Sequence, residues 1–138
     1  NYIGQSMDMA ADCKFQGLVL AGHIGKLIKV SGGVMNTHSR WADCRMDLFA
    51  TAMLRAGFSA DRARAVLDCV TTDDALALLS EEEREATIGQ IMRSIEKYME
   101  YRMADQMPVG AILYSNVYGI LGKTSKVDTL MHLWEEEN

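Results

Sequence analysis

Two short, uninterrupted apolar runs, Leu18-Val19-Leu20-Ala21 and Val109-Gly110-Ala111-Ile112-Leu113-Tyr114, stand near opposite ends of a chain otherwise patterned for helices. Runs this brief and this continuous suit strands covered on both faces, which is the environment of a parallel sheet. Gly22 closes the first run and Pro108 precedes the second. Because helical segments fill the space between them, the pair predicts an α/β fold: a small, mostly parallel sheet flanked by helices, in a helix-rich domain. With so few strands, the faces and edges of that sheet call for another domain.

The helical segments carry local signals. Ile3, Met7 and Ala10 or Ala11 recur at helical spacing, and Ala42, Met46, Phe49, Met53 and Ala56 form one stripe over residues 40–56, closed by Gly57. Ser59 opens a short helix with Ala63, Val66, Leu67 and Val70, and Thr71 or Thr72 caps another through Leu79. Ser80 and Glu83 form a capping box before a long helix with Ile88, Ile91, Met92, Ile95 and Met99 inward, ending near Pro108. Ser125 caps a last helix through Val127, Leu130, Met131 and Trp134. Leu27-Ile28-Lys29-Val30 reads as a second short strand or a half-turn, and Ser31-Gly32-Gly33 as a break.

Composition narrows the functional classes. The chain has 138 residues, 49% of them apolar and 24% charged, which fits a single soluble domain burying roughly 68% of its unfolded surface. It opens on Asn1 directly into helical periodicity, so it is expected to be part of a longer chain. No apolar run approaches the roughly 18 residues of a membrane span, and no signal peptide is evident. A net charge of −5 disfavours nucleic acid, since neutralising phosphates needs clustered cations. Cys13, Cys44 and Cys69 are odd in number and widely spaced, which suits reduced, mostly buried thiols in the cytoplasm. They and three scattered histidines lack metal-ligand spacing.

Chemistry concentrates in residues 22–40, where glycines, cations, imidazoles and hydroxyls replace apolar filler. The segment follows a strand and leads into the helix of residues 40–56, which places it at the carboxyl end of the sheet, where α/β folds bind ligands. It is therefore expected to line the main cleft. His38 is the candidate acid, base or carboxylate donor near neutral pH; His23 either joins it or satisfies a loop carbonyl. Asp43 and Asp47 share a helix face and can handle protons as a pair or anchor ion pairs to Arg40 or Arg45. Gly22-x-x-Gly25-Lys26 resembles half of a phosphate loop but lacks the required Ser or Thr, as Leu27 follows. The same spacing recurs at Gly119-x-x-Gly122-Lys123, so two such loops could bracket one anion, or the likeness is a coincidence of common turns. The methionines fall on helix stripes and serve as adaptable core filler.

The block Gly22-His23-Ile24-Gly25-Lys26-Leu27-Ile28-Lys29, Gly32-Gly33, Asn36-Thr37-His38-Ser39-Arg40, Ala42-Asp43 and Arg45-Met46-Asp47 resembles the signature of the cobalt-precorrin-5B C-1 methyltransferases of anaerobic cobalamin biosynthesis. The likeness covers about the first 57 residues and points to the C-terminal domain of that family. It implies methylation of carbon 1 of a corrin precursor by S-adenosylmethionine, in a larger enzyme whose N-terminal domain completes the methyl-donor site. The corrinoid brings its own cobalt and many carboxylate arms. For those arms the resemblance implies Gly22, His23, Gly25, Lys26, Lys29, Asn36, Thr37, Ser39 and Arg40 as the binding set, with His38 and Asp43 as catalytic candidates. Oligomerisation stays open. Two other readings survive on the residues alone: a non-catalytic module that binds an anionic metabolite through Gly22 to Lys26, and a purely structural domain.

Overall fold

In the computed structural model, which describes residues 2–137, the chain runs α1 (Ile3–Asp12), β1 (Leu18–His23), α2 (Ile24–Leu27), a 3-10 turn (Ile28–Gly32), α3 (Arg45–Arg55), α4 (Ala60–Leu67), α5 (Thr72–Ala77), α6 (Glu81–Met103), β2 (Val109–Ser115), β3 (Gly119–Lys123) and α7 (Val127–Glu137). The expected parallel pairing is present: β1 lies beside β2 in parallel, with Leu18 opposite Val109 and His23 opposite Tyr114. The sheet as a whole is mixed, because β3 returns antiparallel to β2. Glycine-rich Gly119–Lys123 reads as a loop by composition; pairing with β2 makes it a strand.

Caps set the helix boundaries. Thr71 and Asp74 form one capping box at α5, and Ser80 and Glu83 another at α6. Each satisfies two amide groups that have no acceptor inside the helix. Gly57, at φ 94°, takes the left-handed conformation that ends α3, and Gly33, at φ 80°, does the same after the 3-10 turn. One open reading is decided and one expectation corrected. Of the two readings left open for Leu27–Val30, the turn holds: the segment is helical. Helix α3 starts at Arg45, several residues after the apolar stripe begins, because Asn36–Cys44 is held in turns of its own.

The core forms where α3, α6 and the 3-10 turn converge beneath the sheet. Phe49, Met53, Leu76, Ile91, Ile95, Met99 and Leu113 are all essentially inaccessible. Along β2, Val109, Ala111 and Leu113 belong to this core, while Gly110 faces α7, packed so closely that a β-carbon there would fall 2.8 Å from Val127. The thiols depart from expectation: Cys13 is exposed, and Cys44 and Cys69 are half-buried. Burial, with Asp74 and Asp68 nearby, pushes the Cys69 thiol up. Among the described residues, no helix is long and apolar enough to cross a membrane.

Phe49→Ala is expected to destabilise the domain by about 3–5 kcal/mol through lost transfer energy and a residual cavity. Ser80→Ala, which removes only a cap, should cost about 1 kcal/mol. Urea unfolding distinguishes the two.

Candidate functional site

At the end of β1 the chain turns directly into α2, and His23 caps that turn: its Nδ1 accepts the Gly25 amide at 2.9 Å. Ile24, Leu27, Ile28 and Val30 follow, all buried. This corrects the expectation that residues 22–40 are spared from packing. Those four residues belong to the core, because α2 and the 3-10 turn present their apolar side to α6 and α3. Of the larger concavities, one of about 630 Å³ runs between β1 and α7, away from this segment. Another, between α3 and α6, takes only Ser31 from it.

Lys29 connects the buried half to the exposed half. It is 2% exposed, and its Nζ donates to the backbone carbonyl of Thr37, itself 1% exposed, at 3.0 Å. A buried ammonium needs such an acceptor, so Lys29 acts as a staple beneath the loop rather than as a surface cation. Thr37 sits in the same scaffold. Above it the loop makes its own turn: Asn36 Oδ1 accepts the His38 amide at 3.2 Å, His38 Nδ1 accepts the Arg40 amide at 3.1 Å, and the Trp41 amide donates to the His38 carbonyl. His38, Ser39, Arg40 and Trp41 are left facing solvent, Trp41 at 68% exposure. Lys26, one helical turn before Lys29, is also exposed. With Nδ1 accepting, the proton of a neutral His38 resides on Nε2.

Asp43 lies beyond the loop, exposed, and accepts from Arg45 Nε at 2.9 Å. That hydrogen bond holds its carboxyl below the usual carboxylate range. Asp43 is thus an anion in an ion pair, an arrangement suited to anchoring α3. His23 has a different partner, which residue spacing does not reveal: its Nε2 lies 3.9 Å from Asp73 Oδ2, and Tyr114 packs edge-on against the imidazole. His23 Nε2 and Asp73 Oδ1 are both buried atoms without a hydrogen bond. Trp41 joins the exposed loop, and a tryptophan in a polar, helix-free stretch is itself a signal for a contact residue.

The glycines of the segment serve its own packing. A β-carbon on Gly22 would meet Leu27 Cγ at 2.8 Å, and one on Gly25 would meet His23 Nδ1 at 3.1 Å. The Gly25 amide that a phosphate would need already belongs to His23. With the Gly25 amide taken and Gly22 closed over by Leu27, the Gly22–Lys26 turn is not laid out as an open phosphate cradle. The second Gly-x-x-Gly-Lys lies along β3, with Lys123 paired to Asp128 at 2.7 Å, so the repeated spacing is coincidental. Among the described residues, no group of three or more His, Cys, Asp or Glu side chains is placed to hold a metal.

Comparison with known proteins gives this arrangement a lineage. The family described as CbiD, C-terminal domain, matches residues 36–125, and the chain belongs to that family. It is 33% identical over 118 residues to the cobalt-precorrin-5B C(1)-methyltransferase of Ruminiclostridium cellulolyticum, covering 85% of this chain and 31% of the relative. Against the protein of the same name from Alkaliphilus metalliredigens it is 29% identical over 137 residues, covering 99% of this chain and 36% of the relative. The chain therefore spans about a third of the length of the curated relatives it matches. No solved structure matches it significantly.

Lys29→Met should keep the fold but cost roughly 1–3 kcal/mol, as the Thr37 carbonyl loses its charged donor. Loop 36–41 should loosen first, so trypsin is expected to cut after Arg40 sooner than at sites within α6. Arg45→Gln should return the Asp43 carboxyl upward toward its ordinary range in an NMR titration.

Proposed function

We propose that this chain is the C-terminal domain of a methyltransferase that uses S-adenosylmethionine to methylate carbon 1 of cobalt-precorrin-5B, and that its task is to hold the carboxylate arms of the corrinoid. The observation that carries the reading is the loop at 36–41, fixed from beneath by buried Lys29 and presenting Arg40, His38 and Ser39 outward. The curated relatives bear the name of that methyltransferase. Exposed cations on a fixed loop suit acetate and propionate groups, because a preset donor loses little freedom on binding.

The geometry supports these roles within that reading. Arg40 offers a forked donor to one carboxylate, and Lys26 offers a point charge to another. Asn36 and Ser39 supply polar contacts at the turn. Because Nδ1 of His38 is taken by the Arg40 amide, Nε2 is the atom that donates to an acid arm or exchanges a proton with the substrate. His23, Gly22, Gly25 and Thr37 hold the scaffold, and Asp43 orients α3 through Arg45. In this reading the N-terminal part of the enzyme completes the methyl-donor site. The domain's contribution to rate is positioning of the acceptor carbon.

In the full-length enzyme, Lys26→Ala and Arg40→Ala should each raise KM for the corrinoid about 3- to 10-fold, the worth of one exposed charged hydrogen bond, with the melting temperature nearly unchanged. His38→Ala should lower kcat/KM, and His38→Gln, which retains a donor, should recover part of it. Unchanged constants in all four variants would sink the assignment.

A further inference from the structure

Strand β1 combines the sequence of a central strand with the position of an edge. Leu18–His23 carries no charge and no proline, yet it ends the sheet order, and among the described residues no strand pairs with its outer side. None of its six residues is buried, whereas five of the seven in β2 are. Edge strands are ordinarily blunted by lysine, proline or a bulge, and parallel strands are ordinarily covered on both faces. Both conditions are broken here on the same side of the molecule. The face bearing Val19, Ala21 and Tyr114 continues across β3 to Ile120, 71% exposed, with α7 covering only one end. Beside β1, the groove toward α7 adds Phe15, 56% exposed, and Leu133.

The geometry points to this edge and face as the seat of the remaining part of the enzyme, with an extended apolar segment from that part pairing with β1 as a fourth strand. The occupant follows from length: about two thirds of the curated relatives lies outside the region this chain spans, and the family description makes the matched region C-terminal. A segment of that size is available to cover an apolar parallel edge that the domain leaves open. The inference rests on family membership and not on the identity of the substrate.

Backbone groups identify the test. Leu18 donates to the Pro108 carbonyl across the β1–β2 seam, so by the two-residue period of a strand the amides of Val19 and Ala21 point to the outer edge. In the full-length enzyme, measured by residue-resolved hydrogen exchange without substrate, these two amides should exchange about a hundredfold or more slower than freely exposed amides, comparably to Leu20. They should keep that protection on dilution, and Ala21→Pro, which removes the outward donor and leaves the β2-facing ones, should abolish it at residue 19 while α6 stays protected. Free exchange at Val19 and Ala21 beside a protected Leu20 would overturn the inference. So would protection that vanishes on dilution as a dimer dissociates, since a second copy would then occupy the edge.

Discussion

A single ammonium group buried under a loop organises the polar half of this domain. Lys29 reaches from the 3-10 turn to the Thr37 carbonyl, joining a segment that is mostly core to one that is mostly solvent-facing. Its long stem lies in apolar surroundings, and its charge finds one carbonyl at 3.0 Å, with Asp43 adding longer-range attraction. Without that link, loop 36–41 would rest on its own short turn hydrogen bonds, which are individually weak. The side chains facing solvent there owe their positions to the one that is hidden.

The second constraint is the sheet. One face packs on α6 and closes a dense core; among the described residues, the other is covered where α7 crosses Gly110 and Gly17 and where Asp73 approaches His23. A parallel pair with one open face is an incomplete architecture by itself, and it agrees with a family whose curated members are about three times as long as this chain. Under the proposals above, the loop and the open sheet divide the work: the loop meets ligand, and β1 meets protein.

Local features were legible in the sequence, and contacts between distant residues were not. The box at Ser80, the cap at Thr71 or Thr72 and the terminator Gly57 depend on neighbours within a turn, so residue types at fixed offsets suffice. The start of α3 was misread because Ala42 fits the apolar stripe while Asn36 and His38 hold the chain in competing turns. Strand β3 has weak strand composition and exists through pairing with β2. The same holds at the site: the loop 36–40 stands out by its residue types, but the burial of Lys29 and the approach of Asp73 to His23 depend on tertiary packing.

If loop 36–41 is the surface that meets the corrinoid, as proposed, Trp41 beside Arg40 reports on it directly. A corrin ring absorbs strongly and quenches a nearby indole. In the full-length enzyme, the emission lost in Trp41→Phe isolates the contribution of Trp41, and titration with the corrinoid then follows that difference alone. The account predicts that it is quenched with the same concentration dependence as turnover. A Trp41 signal that stays constant while turnover saturates would place the substrate elsewhere and contradict it.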